Sequence, residues 1–248
     1  MYQQRATELA RLRKAAIEEA HRDQGMSYTE IAAALGITKG RITQIRSTAP
    51  VAERVFFGVG PVSIGVPYRY QTTDRERPLI AAEDAETGNQ LEVLLTSMSL
   101  GTSRYTIEPE RTEVPAGDVI VVCGPKSAPI GADLMAQDPA LGMVEDDGRW
   151  WIEQRVDGSR VGSPTDDPKQ PQPADVAYVA RHMIDNRVIV HIAGIHGIGS
   201  LGATHYLTTH LAEVFREVGA QPMSMVVRAT YDGLAITDSE LAAGPYVW

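Results

Sequence analysis

Two groups of residues have types and spacings that could do chemistry. The first is Gly197-x-Gly199-x-x-Gly202, directly after an apolar run and opening a helical pattern. Glycines at that spacing let backbone N–H groups approach a phosphate at a helix N-terminus. His196 sits in the same loop, with a ring that exchanges protons near neutral pH, and Ser200 adds a hydroxyl. A second loop, Gly124-Pro-Lys-Ser-Ala-Pro129, offers Lys126 as a positive charge and Ser127 as another hydroxyl for the same ligand. The predicted ligand set is therefore Gly124, Lys126, Ser127, His196, Gly197, Gly199, Ser200 and Gly202. The other group is Thr38, Lys39, Gly40, Arg41, Thr43, Gln44 and Arg46, side chains suited to phosphates and to base edges in a major groove.

Each feature has a plainer reading. The glycines also suit a helix packed closely on a strand, and Lys126 also reads as an ordinary loop lysine. No acidic residue lies about twenty positions beyond the glycines, where a dinucleotide site places its ribose-binding carboxylate. The ligand expectation is thus a nucleotide or sugar-phosphate in an anion-friendly nest, with the cofactor left unknown. Glu83 is a further candidate for a ribose hydroxyl. Asp166 and Asp167 read as paired carboxylates or as solvated turn residues. Trp150 and Trp151 form either a base-stacking wall or one inward and one outward ring. His191, inside an apolar strand, reads as a core histidine, and Cys123 as packing. No nucleophile elbow, Walker motif or kinase set is present, and one cysteine without clustered histidines gives no zinc site. No catalytic or metal residue is assigned.

The elements that position these groups follow. In Ser27–Ser47, Ser27 and Glu30 have capping-box spacing. Ile31, Ala32 and Leu35 share a face, Gly36 makes the turn, Ile37 plugs the corner and Thr38 caps a second helix that turns Ile42 and Ile45 inward. This segment resembles the helix-turn-helix of bacterial regulators, most closely the promoter-reading region four of sigma factors. The resemblance places Thr38, Lys39, Gly40, Thr43 and Gln44 toward bases and Arg41 and Arg46 toward backbone phosphate. No preceding segment resembles the part of a sigma factor that grips the polymerase core, so the resemblance implies a sigma-like DNA-binding module. The stretches GPKSAP, DGRWWIE and VHIAGIHGIGSLGATHYL resemble an actinobacterial type of regulator that joins such a module to an α/β sensor.

Charge divides the chain the same way. The net is −9, but residues 1–50 hold eight basic against five acidic residues, for +3, and the rest carries −12. Nucleic acid is assigned to the N-terminal end. Since phosphate contacts dominate affinity, +3 implies weak binding by a monomer and favours a homodimer on two half-sites. No run of eighteen apolar residues predicts a membrane span, and the N-terminus does not read as a signal peptide. The single Cys123 fits a cytoplasmic location.

Residues 2–23 read as an amphipathic helix with Leu9, Leu12, Ala16 and Ala20 facing a core, completing a three-helix unit over 1–50. After a short connector, 55–248 reads as one α/β domain. Strands with turns are expected in 55–70, a polar loop in TTDRERP, a short strand at 79–82, a helix at 83–99 and an extended run at 103–109. Val119–Cys123 and Arg187–Ala193 are apolar strands, 130–137 is a helix, and Asp147-Gly148 is a hairpin turn in a β-ribbon insertion near 143–163. Residues 174–182 fit helix and strand equally. A glycine-rich loop at 194–202, a helix at 203–218, a strand at 223–230 and one near 234–237 complete the order. The expected fold is α/β: a three-helix helix-turn-helix domain plus a mostly parallel, Rossmann-like α/β domain.

These features together predict a DNA-binding transcriptional regulator with a ligand-sensing α/β domain. The alternatives are a nucleotide or N-glycoside hydrolase or transferase with an appended helix-turn-helix, using His196 and an acid such as Asp166, and a DNA-binding protein whose second domain only dimerises.

Overall fold

The structure, a computed structural model, describes residues 2–72 and 74–248. Three helices come first: α1 (Tyr2–Asp23), α2 (Tyr28–Ala34) and α3 (Lys39–Thr48). Side chains set the starts of α2 and α3. Ser27 Oγ accepts the Glu30 N–H at 3.3 Å, and Glu30 accepts the Ser27 N–H at 2.8 Å, satisfying both otherwise orphaned donors. Thr38 Oγ1 accepts the Arg41 N–H at 3.1 Å. Between the helices Gly36 takes φ +65°, a conformation that costs glycine little. Ile17, Ile31, Ala32 and Ile42 are buried at the centre, with Met26, Tyr28, Ile37 and Ile45 around them.

Leu9, Leu12 and Ala16, expected to face a core, are exposed, the leucines at 54% and 47%. For the leucines the reason is length. The 22 residues of α1 overhang the seven of α2 and ten of α3, so only its second half is covered by them. Leu35 ends up beyond the last turn of α2 as its C-cap and is exposed.

A 3-10 turn, Ala52–Phe57, joins this unit to the rest and buries Phe56 and Phe57 in the main core. There follow β1 (Val62–Pro67), β2 (Arg69–Thr72), β3 (Glu76–Leu79), α4 (Ala82–Ser97), β4 (Thr102–Ile107), β5 (Asp118–Val122) and α5 (Pro129–Ala136). Then come β6 (Leu141–Asp146), β7 (Arg149–Gln154), β8 (Arg160–Gly162), β9 (Ala174–Ile184), β10 (Arg187–Gly194), α6 (Gly197–Val218), β11 (Met223–Asp232) and β12 (Ala235–Val247).

Seven strands form one sheet in the order β12-β11-β9-β10-β5-β1-β4. The segment β10-β5-β1-β4 is parallel. β9 runs against both neighbours, and β12 against β11. The sheet is therefore mixed α/β, with five strands in one direction and two in the other. One face carries Leu91, Leu95, Leu207 and Leu211 of α4 and α6 against Ile64, Ile120 and Ile192. The opposite face carries Ile130 and Leu134 of α5 against Val119, Val121 and Ile189.

The expected ribbon is a three-stranded sheet, β6-β7-β8, turned at Asp147 (φ 51°) and Gly148 (φ 73°). Residues 174–182, undecided from sequence, are strand β9. Sandwiched between β10 and β11 and covered on both faces, it is almost continuously buried and shows no period. The polar stretch expected as a loop instead pairs as the β2–β3 hairpin, its residue 73 lying outside the described residues. The strand expected at 79–82 is absent: β3 ends at Leu79 and α4 begins at Ala82. The final strand is far longer than expected, 13 residues. Among the described residues no helix is long and apolar enough to cross a membrane.

Candidate functional site

Strand β1 is the pivot of the parallel segment. The chain leaving it passes through the hairpin and α4 into β4 on one side. On its other side lies β5, which leads into α5 on the opposite face of the sheet. Where successive connections diverge in this way, a crevice opens beyond the strand carboxyl ends. A cleft of about 620 Å³ lies there, against the ends of β1, β5 and β10 and the first turns of α4 and α6.

Six of the eight predicted ligand residues line it: Gly124, Lys126, Ser127, His196, Gly197 and Ser200. Gly199 and Gly202 do not. A Cβ on Gly199 would sit 2.5 Å from Asp175 Oδ2 and 2.6 Å from the Val176 carbonyl, and one on Gly202 would collide with the Ala229 Cβ. The two glycines let α6 lie directly on β9 and β11, so the close-crossing reading holds for them. Gly197 faces Glu83 and the cleft. The predicted loop at 194–202 is correspondingly short, because α6 already begins at Gly197.

The cleft wall is about half polar, and its polar groups are tightly braced. The fully buried Asp175 accepts the His196 N–H on Oδ2 at 2.9 Å, while its Oδ1 has no hydrogen-bond partner among the described residues. Burial pushes that carboxyl above the usual carboxylate range. The His196 ring turns outward, its Nε2 lying 2.9 Å from Asp166 Oδ1. Lys126 donates to the Ile195 carbonyl and lies 5.6 Å from the Trp150 ring centre; burial draws its pKa down, against Asp175 and Asp166. The Ser200 hydroxyl accepts the Gly194 N–H at 2.9 Å, closing the turn into α6.

Sequence reasoning missed four residues here. Tyr68, Arg69 and Tyr70 rise from the end of β1 into the hairpin. The two tyrosine rings meet edge to face at 5.3 Å, their hydroxyls 3.2 Å apart, and that contact raises the Tyr68 pKa to about 12. The fourth is Asp84, in the first turn of α4. It is 7% exposed, lines the cleft and makes no hydrogen bond among the described residues. Burial lifts its carboxyl to about 6 against the pull of Arg69. The only sequence signal for these four was a Tyr-Arg-Tyr triplet at a strand end and an acid opening a helix. Glu83, the residue singled out instead, packs against Gly197.

Cys123 and His191 are packing residues, as expected. The thiol is buried and pushed up to about 12. His191 Nε2 lies 2.7 Å from the Cys123 carbonyl, and burial lowers its pKa to about 4. Trp150 and Trp151 are both half-buried and do not form one open wall.

On α3, Lys39, Gly40, Arg41, Thr43 and Gln44 are exposed, as is the cap Thr38. Arg41 Nη1 donates to Gln44 Oε1 at 2.6 Å. Arg46, expected to face outward, instead lies 4.2 Å over the Tyr28 ring and 3.9 Å from Glu18. It is one turn further along α3, where the helix comes back against α1 and α2.

Comparison with family models, with curated proteins and with solved structures finds no match to this chain.

Proposed function

We propose that the protein is a DNA-binding transcriptional regulator whose α/β domain senses a small, phosphate-bearing ligand. In this reading α2 and α3 form a helix-turn-helix, and α3 presents Lys39, Arg41, Thr43 and Gln44 to the major groove. The supporting observation is that this polar row stands exposed on a helix whose cap and buried face are otherwise complete. The Rossmann-like half of the sheet, β4-β1-β5-β10, supplies the cleft. Lys126, Arg69 and the open N-terminus of α6 favour an anion there. With only +3 on the first fifty residues, two copies acting together give the phosphate contacts that one lacks.

The test is selection of bound duplexes from a random pool by the full chain, followed by anisotropy titration with and without Lys39→Ala and Gln44→Ala. An enriched site whose binding both variants weaken supports the reading. A pool without enrichment at low salt refutes it. Native, then denaturing, mass spectrometry of the purified chain looks for a retained ligand.

One observation favours a second reading, a nucleotide or N-glycoside hydrolase or transferase. His196 and Asp166 are hydrogen-bonded at the cleft mouth, the pairing that orients a histidine for proton transfer. Turnover of a nucleotide that His196→Ala abolishes would establish it.

A further inference from the structure

Asp84 does not fit a site for a bare anion. A carboxylate on the cleft wall repels phosphate, yet Lys126, Arg69 and the first turn of α6 on the same wall attract it. Among the described residues only the charge of Arg69 and the place of Asp84 in the first turn of α4 favour its ionised form, and burial outweighs them. Asp84 is 7% exposed, it forms no hydrogen bond among the described residues, and it opens α4 without acting as its cap, since residue 81 holds that position. Its carboxylate opens only onto the cleft, where a ligand's donors can replace water, and a charged group left short of partners costs more than a neutral one. Gly199 and Gly202 are accounted for by packing and Ser200 by the turn into α6; Asp84 is accounted for by neither.

A ligand that satisfies both halves of the wall carries a phosphate and, a few ångströms away, hydrogen-bond donors. A carboxylate has two oxygens, each able to accept, and matches a vicinal hydroxyl pair. Tyr68 and Tyr70 add aromatic surface beside Arg69 at the same mouth, suited to a planar ring system. The cleft of about 620 Å³ is of the size that holds such a ligand.

We propose that Asp84 is the specificity-determining residue of the cleft, accepting hydrogen bonds from the ribose hydroxyls of a nucleotide, so that the site takes ribonucleotides and discriminates against their deoxy forms and against free phosphate. This rests on the reading of the cleft as a phosphate-ligand site. The α6 end holds the phosphate and Asp84 reads the sugar.

The experiment is calorimetric titration of the full chain at pH 7.5 with ADP, GDP, CDP and UDP, with the 2′-deoxy and 3′-deoxy forms of whichever binds, and with pyrophosphate. Wild type is compared with Asp84→Ala, Asp84→Asn and Lys126→Ala, each checked for a native thermal transition. The expected result is that at least one ribonucleotide binds. Removing a hydroxyl from the ligand weakens wild type about tenfold or more, the worth of a hydrogen bond to a charged group. Asp84→Ala weakens the ribonucleotide by a similar factor and no longer distinguishes the deoxy form. That loss of discrimination is the signature a merely structural role would not give. Equal binding of ribo and deoxy forms by wild type, or pyrophosphate binding as tightly as the nucleotide, overturns the assignment of Asp84. If Lys126→Ala still weakens binding in that case, the phosphate-ligand reading survives. Failure of all four nucleotides and pyrophosphate to bind overturns both.

Discussion

His196 is held from two directions: its N–H donates to Asp175 at 2.9 Å, and its ring meets Asp166 at 2.9 Å. The first contact is buried and fixes the start of α6. The second is at the surface, with the His196 side chain 41% exposed. The two should separate in mutants. Asp175→Ala removes the acceptor and leaves the His196 N–H unsatisfied beside buried backbone, and is expected to lower the melting temperature clearly. Asp166→Ala removes a solvent-screened contact and is expected to change stability by no more than about 0.5 kcal/mol. Thermal melts of both variants check this. Equal losses would mean that the surface pair, too, holds the fold.

Asp84 gives a pH dependence with a definite sign. Its carboxyl titrates near 6 in the folded chain against a reference value of 3.8, so folding favours the neutral form. Above pH 6 it is ionised in both states and the fold carries the full burial cost. Below about pH 4 both states are protonated and that cost is gone. Asp84→Asn is therefore expected to stabilise the protein at pH 7.5, by up to about 3 kcal/mol for a shift of this size. The advantage should fade as pH falls from 6 to 4. Urea unfolding across that range measures it, and a variant less stable at pH 7.5 would contradict it.

The glycines of α6 divide by location. Gly199→Ala and Gly202→Ala push a methyl into Asp175 and into Ala229 and are expected to cost about 1–3 kcal/mol each, seen as a fall in melting temperature. Gly197→Ala meets only Glu83, at 3.1 Å. Its expected signature is weaker ligand binding on a nearly unchanged fold. Three equal stability losses would place Gly197 in the packing class as well.

On α3 the arginines should behave differently. Arg41→Ala is expected to weaken DNA binding and to reduce the slope of log affinity against log salt by about one. Gln44→Ala is expected to cost about 1–3 kcal/mol at one base pair of the selected site. Arg46 stacks on Tyr28 beside Glu18, so Arg46→Ala should cost about 0.5–1 kcal/mol of stability and affect DNA less than Arg41→Ala. Anisotropy and thermal melts on the same preparations decide between the two roles.

The features readable in the sequence were those whose determinants lie close together along the chain. The Ser27–Glu30 cap, the Gly36 turn and the Asp147-Gly148 hairpin depend on partners within a few residues, and each was visible. β5 and β10 were visible as unbroken apolar runs. β9 was not decidable, because burial on both faces erases the alternation that marks a strand. Gly199 and Gly202 looked like loop residues because their reason is contact with β9 and β11, about 25 residues to either side. Asp84 was invisible as a site because an acid in a helix's first turn is ordinary. Only the meeting of β1, β5 and α6 buries it. Leu9 and Leu12 had helical spacing toward a core, and the sequence could not show that α2 and α3 are too short to cover them.

The foothold of α1 lies far from the cleft. Gln4 accepts from the buried Arg54 at 3.2 Å and lies against Gly60 and Gly101, the residues just before β1 and β4. The cleft is at the other end of β1, six residues away along the strand, about 20 Å at the usual rise. Under the proposed function an occupant of the cleft thus reaches α3 through the strand and through α1. The signal then runs the length of β1, as a small shift of the strand or of α4 on it, and is magnified by the lever of α1. Mutations that uncouple ligand from DNA while leaving both affinities intact should cluster at Gln4, Arg54 and the turn before β1, where neither partner makes contact.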